Sequence, residues 1–218
     1  MGAKNAEPVE MSHQHIIFDF NGTLVDSTDV MNSILNEMLA KSVIKNLAPE
    51  DFVDPKSLPF LKRVRVLVYT ALHQREFIEL YSKYVEQVKF VNGTKSMLAL
   101  LHEKGLEFSV ISSNSADMIM AFFTLHGITV KSVYTAQRLF GKKKAIKQYI
   151  RERDCRASDI VYIGDEKRDV EMCSECGVDI VFVSWGVGVL DDALKHKVLR
   201  VVETPKELAL YLIEEPAV

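Results

Sequence analysis

The stretch His15-Ile16-Ile17-Phe18-Asp19-Phe20-Asn21-Gly22-Thr23 decides how the rest of the chain is read. A short apolar run halted by an Asn-Gly pair makes a buried strand followed by a turn. A strand apolar on both faces needs a covering layer on each side, which is the setting of a parallel sheet. A helical segment follows it. Ser27 or Thr28 can cap a helix over residues 28–44, with Met31, Ile34, Leu35, Met38 and Leu39 on one face.

Residues 45–91 carry only helical patterns, punctuated by Pro49, Pro55 and Pro59. Residues 60–72 and 74–88 read as an antiparallel helical pair. No strand alternates with them, so the segment has the character of a helical insertion. After Asn92-Gly93 the pattern changes: helix 94–103 ending at Gly105, strand 108–111, helix 115–126 closed by Gly127, strand 132–135, helix 142–153. Strand 160–163, helix 167–176 closed by Gly177, strand 180–183, strand 198–202 and helix 205–213 complete it. Strands alternating with helices predict an α/β fold, a doubly wound parallel sheet of the Rossmann-like kind. The expected division is a loose leader 1–12, a core of 13–27 and 92–218, and an all-helical cap of 28–91.

Composition narrows the function classes. The chain has 218 residues, 48% of them apolar and 26% charged, an ordinary globular balance. A chain of this length buries roughly 70–75% of its unfolded surface without disulfides or metal staples. The net charge of −3 offers no basic field for a nucleic-acid backbone. No apolar stretch approaches the ~18 residues that span a bilayer, and residues 1–10 lack the layout of a signal peptide. Three cysteines are an odd set, which argues against a disulfide framework and for a reducing, cytoplasmic setting. Cys173 and Cys176 lack the second pair a zinc site needs.

Ligands of open parallel sheets bind at the carboxyl ends of the strands. Following the strands in turn, those ends carry Asp19, Asn21, Gly22 and Thr23; then Ser112, Ser113 and Asn114; then Gly141 and Lys142; then Gly164, Asp165, Glu166 and Asp169. Carboxylates without histidine or cysteine suit a hard cation taking oxygen ligands, hence Mg²⁺. A lysine and small hydroxyls beside it suit a dianionic phosphate. One such aspartate would be explained by turn capping; the serial set points to a phosphoryl-transfer site. Trp185-Gly186, after the last core strand, is placed to line the site edge, although packing explains it equally well.

With these residues in hand the chain resembles the haloacid dehalogenase superfamily of hydrolases, over residues 16–212. The resemblance is carried by Ile17-Phe18-Asp19-Phe20-Asn21-Gly22-Thr23-Leu24-Val25-Asp26-Ser27, Phe108-Ser109-Val110-Ile111-Ser112-Ser113-Asn114-Ser115, Leu139-Phe140-Gly141-Lys142 and Val161-Tyr162-Ile163-Gly164-Asp165-Glu166 with Asp169. The motif order, with the helical insertion after the first, is similar to the phosphoglycolate-phosphatase-like branch. The resemblance implies an Mg²⁺-dependent phosphatase acting on a small phosphorylated metabolite through an aspartyl-phosphate. It makes Asp19 the nucleophile and gives Mg²⁺ to Asp19, the backbone carbonyl of Asn21 and Asp165, with Glu166 or Asp169 supporting through water. Ser112 then binds the phosphoryl oxygens and Lys142 balances charge. Ser113 competes with Ser112 for this role, and Lys143 or Lys144 with Lys142. Gly22, Thr23, Ser113 and Asn114 are further candidates for contact with substrate. Arg63 and Arg65, on the first long cap helix, can grip a second anionic group.

One position departs from the pattern. The family's phosphatases carry a second aspartate two residues after the nucleophile, as acid and base; here it is Asn21. A carboxamide exchanges no proton near neutral pH. The resemblance then implies a phosphatase slowed at this step, or a catalytically silent module that binds a phosphate ligand.

Overall fold

The structure, a computed structural model, describes residues 13–42, 46–52, 58–136 and 141–214. The expected leader 1–12, Pro55 and Leu139-Phe140 lie outside these residues, and the first helix, expected over 28–44, ends at Lys41, with Ser42 already extended. Among the described residues six strands form a parallel sheet: β1 (His15–Phe18), β4 (Phe108–Ser112), β5 (Ser132–Thr135), β6 (Ile160–Gly164), β7 (Asp179–Val183) and β8 (Arg200–Val202). Their order across the sheet is β5-β4-β1-β6-β7-β8. From β1 the sheet grows first toward β4 and β5, then on the other side through β6, β7 and β8. The reversal opens a crevice at the carboxyl ends of β1 and its neighbours.

The central strands β1, β4 and β6 are buried on both faces because helices cover both. All five residues of β4 and of β6 are buried, as are Ile16, Ile17 and Phe18 of β1. Each such Ile, Val or Phe contributes about 1.5–3 kcal/mol over an exposed position. The register pairs Ile17 with Ser109 on one side and Tyr162 on the other. Phe18 is therefore level with Ile163, and the Asp19 N–H continues the ladder to the Ile163 carbonyl at 2.8 Å. That bond fixes where the chain leaves the sheet. α4 (Thr94–Glu103), α5 (Ala116–Leu125), α6 (Gly141–Arg153), α7 (Lys167–Cys176) and α8 (Pro205–Glu214) connect or follow the strands. α5 starts at Ser115, whose hydroxyl accepts from the Met118 N–H, and α7 ends at Gly177 in the left-handed region.

The chain divides into two compact units, one of residues 1–25 and 90–218 and one of residues 26–89. The second holds α1 (Thr28–Lys41), α2 (Phe60–Leu72) and α3 (Gln74–Tyr84). Its helices are not the simple pair expected: α3 packs chiefly against α1 and less against α2. Helix 74–88 also ends early, at Tyr84, and continues as one 3₁₀ turn over Val85–Gln87. The expectation of helix alone between 45 and 91 is corrected by β3 (Lys89–Phe90), which pairs with β2 (Val25–Asp26). Two-residue strands have no period to read. The units meet at residues 25/26 and 89/90, two residues before the expected boundaries. Ser27 precedes α1 but its side chain does not cap it; the Asp26 carboxylate accepts from the Thr28 N–H at 3.0 Å instead. Among the described residues no helix is long and apolar enough to cross a membrane.

Candidate active site

The residues expected at the strand ends meet in the core unit. Asp19, one residue beyond β1, is almost fully buried. Its Oδ1 accepts from the Phe20 N–H at 2.8 Å and its Oδ2 from the Lys142 ammonium at 2.6 Å. Lys142, at the start of α6, donates a second bond to Asp169 Oδ1 at 2.7 Å and stands over the ring of Tyr162. The lysine thus ties the loop after β1 to the first turn of α7. Of the three consecutive lysines only Lys142 makes this reach. Lys143 pairs with Glu175 at 2.6 Å and Lys144 is exposed.

Asp165, just past β6, is fully buried. Thr23 donates its hydroxyl to Oδ1 at 2.9 Å and the Val187 N–H donates to Oδ2 at 3.0 Å. Thr23, expected at the substrate, is itself fully buried and spends its hydroxyl on this carboxylate. Gly22 lies behind it in the left-handed region, with φ of +78°, where a side chain would overlap the Asp165 carboxylate. Gly141 is pressed equally hard against the Ala136 backbone, which sets Lys142 at its place.

Ser112 ends β4 with its side chain buried; its Oγ accepts from the Asn114 N–H at 3.2 Å. The hydroxyl proton remains available to a phosphoryl oxygen. Ser113 is exposed. Asn114 turns inward and donates through Nδ2 to Asn21 Oδ1 at 3.3 Å. The two amides link the loop after β1 to the loop after β4. Arg63 and Arg65 lie on α2 in the helical unit, Arg63 with its guanidinium over the Phe60 ring.

Electrostatics mark the spot. Burial pushes the Asp19 carboxyl up to about 7, the charges of Asp169 and Asp165 adding to the effect and Lys142 opposing it. Burial also raises Asp165 to about 6, against the Thr23 hydrogen bond. Burial works against the Lys142 ammonium, but the charges of Asp169 and Asp19 outweigh it and hold the group above its ordinary range. Four carboxylates, counting Glu166, face two cationic side chains, Lys142 and Arg168, the latter bound to Glu166. Fully ionised, these carboxylates would exceed the two cations by two charges, and a bound cation would favour that ionised form.

A divalent cation fits this set. Oxygens of Asp19, Glu166 and Asp169 lie within 4.8 Å of one another. Asp169 is fully buried, and its Oδ2 has no hydrogen-bond partner. A buried carboxylate oxygen left without a donor is costly unless a cation completes it. The donors are all oxygen, the preference of Mg²⁺ or Ca²⁺ over zinc or copper. Asp165 stands outside the three-carboxylate group. Glu166, Asp169 and the glycines around Asp165 carry more of the geometry than sequence alone shows. Gly186 and Gly188, both pressed on Asp165, had a visible signal in the Trp-Gly-Val-Gly run after β7.

Comparison with known proteins gives the family and the fold. The model of the haloacid dehalogenase-like hydrolase family matches residues 16–183. A curated relative, phosphoglycolate phosphatase of Synechococcus elongatus, is 26% identical over 201 residues, covering 89% of this chain and 95% of the relative. A predicted phosphoglycolate phosphatase from Haemophilus somnus superposes with a TM-score of 0.71 at 16% identity, over 92% of this chain and 99% of that one. A family hydrolase from Deinococcus radiodurans, solved with bound phosphate and sodium, gives 0.65 at 17% identity, over 94% and 97%. At these identities the solved structures establish the fold.

Proposed function

We propose a chemistry that starts from one premise: the chain belongs to the haloacid dehalogenase-like hydrolase family. Its reaction is the hydrolysis of a small phosphomonoester through an aspartyl-phosphate on Asp19. The observation that carries this reading is the Lys142 ammonium held between Asp19 and Asp169, beside a buried Asp169 oxygen with no donor. A phosphoglycolate-like substrate is supported by the name of the Synechococcus elongatus relative.

In the first step an Asp19 oxygen bonds to phosphorus as the ester oxygen leaves. The Phe20 N–H and Lys142 keep that carboxylate oriented. The Ser112 hydroxyl and Lys142 take up charge on the phosphoryl oxygens. In the second step water attacks the aspartyl-phosphate, releasing phosphate and restoring Asp19. Asn21 can neither protonate the leaving oxygen nor accept the proton of that water. Both transfers then fall to solvent, and turnover is slow. Asp19, Asp169 and Glu166, with Asp165 and the Asn21 carbonyl beside them, would hold Mg²⁺, which would supply positive charge against the phosphoryl group.

Hydrolysis of p-nitrophenyl phosphate with Mg²⁺, and again with chelator, tests the reading. Slow turnover that chelation abolishes is expected. If neither this chain nor its Asn21→Asp variant hydrolyses the ester while both bind Mg²⁺ and phosphate, the protein is a phosphate-ligand binding module. Two further outcomes follow. Asp165→Asn and Asp169→Asn should each weaken Mg²⁺ binding in titration calorimetry by at least ~10-fold, the lower end of what losing even an outer partner costs. Unchanged affinity in both would remove the cation from this site. The unit of residues 26–89 would act as a cap, and Arg63 and Arg65 would bind the substrate's remote anionic group. Their alanine variants should raise KM for a carboxylated phosphoester and leave p-nitrophenyl phosphate nearly unaffected. Equal effects on both substrates would assign the arginines to folding or to a solvated surface.

A further inference from the structure

We propose that the loop of residues 185–188 is a positioning device for the Asp165 carboxylate, and that the Trp185 indole senses the cation bound there. The inference rests on the reading of Asp165 as a cation ligand. It starts from a ring of contacts that joins three separate segments around one side chain.

Asp165 Oδ2 accepts from the Val187 N–H, and Oδ1 accepts from the Thr23 hydroxyl. The Trp185 Nε1–H donates to the Thr23 carbonyl at 3.0 Å. The indole therefore holds by its backbone the same residue that holds Asp165 by its side chain. Thr23 cannot shift without loosening the grip on Asp165. The loop backbone closes in from the far side. A Cβ on Gly186 would overlap the Asp165 side chain, and one on Gly188 would overlap the Asp165 carbonyl oxygen. Gly22 crowds the same carboxylate from the β1 side. With one donor on each oxygen, the carboxylate keeps a lone pair on each for a cation but loses its freedom to rotate. Packing alone would require the bulk of the indole. It would not require the N–H to be spent on Thr23, or glycines at both loop positions that face Asp165. Partners that orient a ligand in this way typically carry 10–100-fold of metal affinity.

Trp185 is the only tryptophan in the chain, so its emission reports on this loop alone. The test uses the full chain without any phosphoester. Mg²⁺ is titrated while tryptophan emission is followed, and Mn²⁺ affinity is measured from the resonance of the free ion. The emission should change with a midpoint matching the calorimetric one, and the change should vanish in Asp165→Asn. Trp185→Phe and Thr23→Val should each bind Mn²⁺ ~10–100-fold more weakly. Thr23→Ser, which keeps the hydroxyl, should recover most of the loss. Circular dichroism confirms that each variant is folded. If Trp185→Phe does not fold, the Thr23→Val and Thr23→Ser pair decides. Folded variants that bind Mn²⁺ as tightly as the parent overturn the positioning role. A parent that binds no Mn²⁺, or an Asp165→Asn variant that binds it equally well, overturns the cation site itself and the positioning role with it.

Discussion

Asn21→Asp should raise steady turnover of p-nitrophenyl phosphate by ~10²–10⁴-fold, the usual contribution of a positioned acid and base. That range is about 3–5.5 kcal/mol of barrier. The substitution changes one atom, and the Asn114 amide that donates to Asn21 Oδ1 can donate equally well to a carboxylate. The gain should depend on the leaving group. Nitrophenolate departs without a proton, so the first step already proceeds in the parent. The parent should therefore release a burst of nitrophenolate, at most one equivalent, before a slow steady rate. Alkyl phosphates need a proton on departure, so the parent should show little burst with them, and Asn21→Asp should restore both steps. Asn21-Gly22 is prone to deamidation, and activity that grows as a stock ages would reveal aspartate forming there. If fresh parent turns over as fast as Asn21→Asp, another group moves the proton. Glu166, beside Asp19 and Asp169, would be the first to substitute.

Asp19→Asn should cost still more: about 10⁴-fold or greater in turnover, on the scale seen when a nucleophile is removed. The carboxamide is nearly isosteric, so Lys142 keeps its bond to Asp169 and the fold should persist. The variant also removes a carboxyl that burial pushes up to about 7, so its melting temperature should be no lower than the parent's without added cation. A large loss of activity at unchanged stability separates a chemical role from a structural one. Turnover within tenfold of the parent would place the nucleophile elsewhere.

Much of this was legible in the sequence because the sheet is parallel. The runs at residues 16–18, 108–111 and 160–164 are buried and largely apolar, so a polar residue at the end of each run stands out. Asp19, Ser112 and Asp165 were identifiable for that reason. Helix ends marked by Gly127 and Gly177 were equally readable, since both occupy the left-handed conformation. Direction was harder. Lys142, Lys143 and Lys144 are equivalent as a string, and only the pitch of α6 turns the first inward and the second toward Glu175. The role of Trp185 depends on a partner 162 positions away, and no local pattern encodes such a contact. The same holds for β2 and β3, two residues each, which exist only because they meet. Thr23 shows a related limit: a hydroxyl near a strand end is as able to orient a carboxylate as to meet a substrate, and the donation to Asp165 is visible only in the structure.

Intact-mass analysis of a sample quenched in acid during turnover of p-nitrophenyl phosphate bears most directly on the central claim, covalent chemistry at Asp19. With Asn21 unable to activate water, the second step limits and the intermediate should accumulate. The parent should gain the mass of one phosphoryl group, on a peptide containing Asp19, and Asp19→Asn should gain none. Nitrophenolate release with no phosphoryl adduct at any quench time, or an adduct that persists in Asp19→Asn, would contradict it.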